Sequence, residues 1–259
     1  MKVTVAGAGY VGLVTSTCIA EMGHQVTCID TQKERIDLLQ CGLSPIHEPG
    51  LEALIENNLH NNQLKFTTNA HDAYSNADLI FITVDTPEKH DGSADLKYIH
   101  VVAHTIANYI EHDVIICIKS AVPVGTNDLI QKIIDSRKPP NLHAEVVANP
   151  EFLREGTAII DFFHGDRIVI GTSDPKAAAI LEQLYLPLQI PIYKTDIRSA
   201  EIIKYASNAF LATKISFINE IASICDNFGA NIEEVTAGIG LDKRIGSHFL
   251  KARKPDITK

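Results

Sequence analysis

Short apolar runs alternate along most of the chain with longer stretches in which apolar residues return every three or four positions. Val3 to Val5, His24 to Asp30, Leu64 to Thr67, Leu79 to Val84, Asp113 to Lys119, Ala144 to Ala148 and Arg167 to Gly171 have the length and the β-branched content of strands. Leu79 to Val84 and the VIICI run are apolar almost without interruption, as a strand covered on both faces requires. Between these runs, helical spacing predicts helices over Val14 to Gly23, Gln32 to Gln40, Gly50 to Leu59, Ala70 to Tyr74, Leu96 to Tyr109, Asn127 to Ser136 and Pro175 to Tyr185. Pro49 falls near one helix start, where proline is tolerated, and Ser93 and Asp95 are candidate caps for the helix at Leu96. Strands alternating with helices in this number predict an α/β chain with a doubly wound, mostly parallel sheet.

The character changes at Thr195. DIRSAEIIKYASNAFLATKISFINEIASICDNFG runs on with helical spacing and without proline or internal glycine. Ile202, Phe210, Ile215, Phe217 and Ile221 spread around its girth, so a helix of this length needs partners on several sides. NIEEVTAGIG is a further short helix with Asn231 as its cap, after which the chain becomes basic and polar. The predicted organisation is a sheet domain over 1–195, a helical segment over 196–252 suited to a dimer interface, and a divergent polar tail over 253–259.

The first turn carries the most specific chemistry. Gly7, Gly9 and Gly12 form G-x-G-x-x-G between the first strand and first helix, enclosing Tyr10 and Val11. In that setting the first glycine permits the tight turn, the second lets a pyrophosphate approach, and the third lets helix and strand pack closely. Free N–H groups at the helix start then face an anion. The second strand ends on Asp30, placed to accept from the ribose hydroxyls of NAD and to repel the extra phosphate of NADP. Lys33 and Arg35 leave a 2′-phosphate open as an alternative, or are solvated residues of the next helix; NAD is the favoured cofactor, with Lys33 counted among the residues near it.

Composition narrows the partners. A formal net charge of −9 argues against a nucleic-acid or anionic-membrane surface. No run reaches the ~18 apolar residues of a membrane span, and the amino terminus enters a strand with no leader pattern, so a soluble cytoplasmic protein is expected. The five cysteines, Cys18, Cys28, Cys41, Cys117 and Cys225, sit in or beside predicted elements without a C-x-x-C, and read as small buried hydrophobes rather than a disulfide set. His100 and His104 share a helical face, but no glutamate follows the first, and no metal site is expected.

Three further groups could carry chemistry. Glu151 and Glu155 share a face if NPEFLREG begins a helix, and a glutamate in a cleft can activate water; the alternative is a solvated pair beside Arg154. Lys204 and Asn208 are spaced one turn apart on the long helix, suiting an oxyanion or a sugar hydroxyl, or else forming an ordinary polar strip. Ser120 follows an apolar strand at its carboxyl end, where ligands of such sheets bind, and Thr86 is counted with it among the cofactor-binding residues.

Taken together, GAGYVGL, Asp30, IHEPGLEALI, TPEKHDGSADL, KSAVPVGT, NPEFLREGTAI, DRIVIG, EIIKYASNAFLATKISFINEIA and GLDKRIGSHFLKA resemble the UDP-glucose 6-dehydrogenase family, among the nucleotide-sugar dehydrogenases that also include GDP-mannose and UDP-N-acetylmannosamine enzymes. The resemblance covers residues 1 to about 252 and implies a Rossmann-type sheet followed by a long central helix. It also implies oxidation of a sugar C6 alcohol to a carboxylate with two NAD⁺. On that resemblance Glu151 corresponds to the residue tied to thioester hydrolysis and water activation, with Glu155 in the same loop. Lys204 corresponds to the lysine that steadies oxyanion charge, and Asn208 to its hydrogen-bonding neighbour. Phe152 and Leu153 belong to a segment whose backbone holds substrate, and Arg244 to an arginine reaching the neighbouring subunit's sugar site.

The departures bear on activity. Family members continue past the equivalent of Leu250 to Ala252 into a glycine-rich segment with the nucleophilic cysteine, and then into a second Rossmann domain; here RKPDITK follows. Ala121 stands where threonine is usual, Asp85 where glycine precedes Thr-Pro, and HGD at 164–166 replaces the more usual proline-aspartate. The expectation is a shortened chain that binds NAD but does not complete the two-step oxidation alone. UDP-glucose or a related nucleotide sugar is the substrate implied. Homodimerisation, or pairing with a full-length homologue through the long helix, is expected. The alternatives are a non-catalytic NAD-binding partner of such a homologue, another nucleotide-sugar dehydrogenase, and, less well matched by IHEPGL and NPEFLREG, a β-hydroxyacid or 6-phosphogluconate type dehydrogenase.

Overall fold

The structure, a computed structural model, describes residues 1–251; the predicted tail over 253–259 lies outside the described residues. Five elements open the chain: β1 (Lys2–Ala6), α1 (Tyr10–Glu21), β2 (Gln25–Ile29), α2 (Lys33–Gln40) and α3 (Leu51–His60). They are followed by β3 (Leu64–Thr67), α4 (Ala70–Tyr74), β4 (Leu79–Ile82), α5 (Lys97–Tyr109), β5 (Val114–Ile118) and α6 (Thr126–Asp135). The sheet is completed through β6 (Ala144–Ala148), α7 (Ala158–His164), β7 (Ile168–Gly171), α8 (Pro175–Tyr185) and β8 (Ile192–Thr195).

The eight strands lie in the order β3-β2-β1-β4-β5-β6-β7-β8. All pairs from β3 to β6 are parallel, β7 meets β6 antiparallel through Ala148 and Gly171, and β8 is parallel to β7. Successive residues of each strand feed opposite cores, as the two-residue pleat demands. Val3, Val5, Cys28, Phe81, Cys117 and Val147 join one cluster with residues of α1, α3, α7 and α8. Ala6, Ile29, Ile80, Ile82, Ile116 and Val146 join the other with α4, α5 and α6. Burial on both faces explains why β4 and β5 carry no polar residue.

Strand order reverses between β1 and β4, so the carboxyl ends of these two strands flank the crevice where such sheets take ligands. Gly7, Asp30, Val84 to Thr86, Lys119 and Ser120, and Asn149 to Glu151 all follow strands at this one edge.

Several local expectations differ from the structure. Residues 151–154 are not helical, because α7 starts only at Ala158, so Glu151 and Glu155 do not share a helix face. β8 is a strand that the apolar pattern does not announce, since its edge position leaves Tyr193 and Lys194 exposed and no alternation is enforced. Asp95 accepts from Lys97 N–H as a cap would, whereas Ser93 turns back to Asp91. Cys41 is exposed at the end of α2 instead of buried.

The chain divides into two compact units, Met1–Lys204 and Tyr205–Lys259. Helix α9 (Ile197–Phe228) starts in the first and continues into the second, which also holds α10 (Ile232–Gly240). Asn231 caps α10 by accepting from Glu233 N–H at 2.9 Å. In the second unit Ile218, Cys225 and Leu250 are buried, whereas Phe210, Phe217, Phe228 and Leu241 are exposed.

Candidate active site

The glycine turn is set by backbone geometry. Gly7 has φ +108°, a region L side chains rarely adopt. At Gly12 a Cβ would stand 1.8 Å from the carbonyl oxygen of Gly7 and 2.6 Å from Oγ1 of Thr83, so only glycine lets α1 lie this close to β1. Gly9 faces outward: chain neighbours aside, Oδ1 of Asp85, at 3.7 Å, is the one atom among the described residues within 4 Å of the position its Cβ would take. Tyr10 and Val11 open α1, and no side chain caps that helix. An uncapped helix start beside an open glycine fits a diphosphate.

Asp30 closes the other end of this crevice. Its carboxylate accepts from Ala8 N–H at 2.8 Å, Gln32 N–H at 2.9 Å and the Arg35 guanidinium at 3.1 Å. A carboxylate has about four acceptor positions, so roughly one is left for a ribose hydroxyl. Arg35 is held by this pair, and Lys33 lies along α2 against Asp37 at 2.7 Å, exposed. Ser120 donates to the Val84 carbonyl at 2.6 Å and Thr86 to the Ala121 carbonyl at 2.7 Å, so both hydroxyls tie the loops after β4 and β5 together.

A buried carboxylate links the turn to the segment after β6. Glu48, 5 % exposed, accepts from the Tyr10 hydroxyl, from Gly156 N–H at 2.8 Å and from Ala158 N–H at 2.8 Å, and so caps α7. Burial by itself would raise the Glu48 pKa. The Tyr10 hydroxyl and the N–H groups of Gly156, Ala158 and Ile159 outweigh it and hold the carboxyl below its ordinary range. Burial and the same contact push the Tyr10 phenol up. Glu155 is exposed in the turn before α7, and its charge adds slightly to the rise of the Tyr10 phenol.

Glu151 and Lys204 form the second centre. Their side chains are 14 % and 10 % exposed and meet at 2.7 Å across 53 residues of sequence. The other Glu151 oxygen accepts from Leu153 N–H at 2.6 Å, so that backbone donor is already engaged. Phe152 packs against the first turns of α9, with the Arg167 guanidinium 3.7 Å from its ring centre and Lys204 Nζ at 5.4 Å. Lys119 adds a further cation. It is 7 % exposed, with Nζ 5.7 Å from the Phe81 ring and 5.9 Å from that of Tyr185. Burial draws its ammonium down to about 8 in spite of the opposing charge of Glu151, with a smaller downward push from Lys204. A lysine–glutamate pair with a second buried ammonium nearby can stabilise negative charge developing on an oxygen and can hold a water for attack.

Glu201, also buried, receives Gly125 N–H at 2.7 Å and both Asn127 N–H at 3.0 Å and its amide at 2.6 Å. It caps α6 from α9 and so fixes the first turns of α9, including Lys204, against the sheet. Lys119, Glu48 and Glu201 were not singled out as site residues from sequence. Only Lys119 carried a local signal, a lone charge ending an apolar strand. Asn208 is exposed and Arg244 pairs with Asp242 at 2.6 Å; both belong to the second unit.

Cys18, Cys28 and Cys117 are buried in the sheet's core, and burial raises all three thiols, that of Cys28 to about 12. Away from the crevice, His143, Glu145 and Asp174 bring ligand atoms within 4.8 Å of one another where β6 begins. No helix among the described residues is long and apolar enough to cross a membrane.

Residues 1–189 match the NAD binding domain of the UDP-glucose/GDP-mannose dehydrogenase family, and residues 198–255 match its central domain. The chain belongs to this family. A UDP-glucose 6-dehydrogenase of Bacillus subtilis, YwqF, is 57% identical over 97% of the chain, and one from Rhizobium meliloti is 48% identical over the same share. The matched regions are 57% and 59% of those proteins, so the chain spans well under two thirds of their length. A UDP-glucose dehydrogenase from Pyrobaculum islandicum superposes with a TM-score of 0.94 at 39% identity, covering 97% of this chain and 59% of that one. A GDP-mannose dehydrogenase from Pseudomonas aeruginosa gives 0.91 at 35%, with the same coverage. The cofactor of the amino-terminal unit is therefore NAD, in agreement with the open Gly9 and the acid at Asp30.

Proposed function

We propose that this chain supplies the NAD-binding and sugar-oxidising face of a UDP-glucose 6-dehydrogenase, which converts UDP-glucose, two NAD⁺ and water to UDP-glucuronate and two NADH. The observation that carries the reading is the buried Glu151–Lys204 pair on the same sheet edge as the glycine turn. Bound NAD⁺ supplies the hydride acceptor. Gly7, Gly9, Tyr10, Val11 and Gly12 shape the diphosphate cradle, Asp30 takes a ribose hydroxyl, and Thr86, Ser120 and Glu155 border the cofactor's path. Lys204, aided by Asn208, steadies charge on the C6 oxygen, and Glu151 holds water for hydrolysis. Phe152 and Leu153 line the sugar side, and Arg244 reaches toward a neighbouring subunit's sugar.

Complete oxidation needs a nucleophile for the aldehyde stage. Cys18, Cys28, Cys117 and Cys225 are buried packing residues and Cys41 closes α2, so none of the five is proposed as that nucleophile. Residues 1–259 by themselves are therefore proposed to bind NAD without releasing two NADH per sugar. Exposed Phe210, Phe217 and Phe228 on α9 support pairing with a second copy or a full-length homologue. Titration with NAD⁺ and, separately, UDP-glucose is expected to give cofactor binding with little sugar-nucleotide binding. Two equivalents of NADH per sugar from the purified chain would overturn the proposed division of labour. Absence of NAD⁺ binding would remove its basis.

A further inference from the structure

We propose that Asp85 is an affinity-setting residue whose carboxylate stands against the diphosphate of the dinucleotide and holds down its binding. This rests on the reading that the glycine turn cradles NAD. Gly9 leaves the gap through which a diphosphate reaches the start of α1, and Oδ1 of Asp85 lies 3.7 Å from the Cβ position that the gap replaces. No hydrogen bond or ion pair of Asp85 occurs among the described residues, so its carboxylate has no direct partner there.

The segment cannot swing away as a whole. Val84 on one side accepts from Ser120, and Thr86 on the other donates to Ala121, at 2.6 and 2.7 Å. The backbone of Asp85 is thus held between two ties, and relief comes only from rotation of its exposed side chain. The start of α1 presents a partial positive charge to the diphosphate, and a carboxylate this close opposes it. Because the diphosphate is common to NAD⁺ and NADH, the effect falls on both and shortens the residence of each.

The test is calorimetry on the full chain and on Asp85→Asn and Asp85→Ala, with NAD⁺, ADP and adenosine as ligands. Thermal melts of both variants first establish folding, which an exposed side chain should leave unchanged. D85N is expected to bind NAD⁺ and ADP roughly three- to tenfold more tightly at low ionic strength. The gain should shrink as salt rises to about 0.5 M, where screening is strong. Adenosine, which lacks phosphate, should bind all three forms alike. Equal affinity across the forms would overturn the inference. So would weaker binding by D85N, since Asp85 would then be accepting a hydrogen bond from the cofactor. If no form bound NAD⁺ or ADP, the cofactor reading itself would fail and the inference with it.

Discussion

The glycine turn and the Glu151–Lys204 centre lie on one edge of one sheet, yet they are built in opposite ways. The turn is made by residues within a few positions of one another, and its shape is a matter of backbone angle and missing Cβ atoms. The other centre joins side chains 53 residues apart, brought together by the end of β6 and the first turns of α9. Local sterics hold the first, and burial with reciprocal charge holds the second. Damage to the turn should therefore act through packing and be insensitive to charge. Damage to the pair should act through an ion left without its partner.

The largest effect is expected at Gly12→Ala. Its Cβ meets backbone, which cannot rotate aside, so urea unfolding should show a loss of roughly 3 kcal/mol or more together with loss of NAD binding. A stable variant with intact binding would show that α1 can move off β1.

Next comes the ion pair. Lys204→Met or Glu151→Gln alone should cost about 2–4 kcal/mol, because each leaves a nearly buried charge uncompensated. The double variant should lose clearly less than the sum of the two. Additive losses in a double-mutant cycle would mean that the two side chains do not depend on each other.

Glu48 bridges the two regions, and its replacement reads both. Glu48→Gln should lower stability by about 1–3 kcal/mol at neutral pH. The folded protein holds this carboxyl below its ordinary range, so its contribution is complete above that range and is lost as pH falls through the folded value. Melting curves of wild type and variant should therefore converge under acid conditions. Curves that stay parallel down to acid pH would assign the loss to shape rather than to charge.

The smallest effect is expected at Lys33→Ala. Lys33 is exposed and occupied by Asp37 on its own helix, a contact worth about 0.3–0.5 kcal/mol. NAD affinity should change less than about twofold. A larger drop by calorimetry would place Lys33 on the cofactor.

Much of the cofactor end was legible in the chain because its signals are local. Glycines at Gly7, Gly9 and Gly12 between a strand and a helix describe a backbone shape, and Asp30 is read from its place at the end of the second strand. The apolar runs Leu79 to Ile82 and Val114 to Ile118 announced central strands because both faces are covered. The Glu151–Lys204 centre was legible only as a list of residue types. NPEFLREG reads as a loop or a helix start, and it forms an irregular segment ending in a turn, with Glu151 held by Lys204 and Glu48 capping α7 only from Ala158 onward. No period in the sequence encodes either contact. The edge strand β8 escaped notice for the complementary reason: with one side unpaired and two residues exposed, it has no strict alternation to display.

From the amino-acid order alone came the doubly wound sheet, the dinucleotide turn and the unbroken helix Ile197–Phe228, since each depends on the interactions of near neighbours and on which faces must be buried. The antiparallel joint of β7 on β6, the burial of Lys119 between two rings, and the carboxylates of Glu48 and Glu201 as caps for distant helices were settled only when the chain closed on itself. A charge has no preferred partner until folding removes water from around it, and which partner it then meets is a property of the assembled layers.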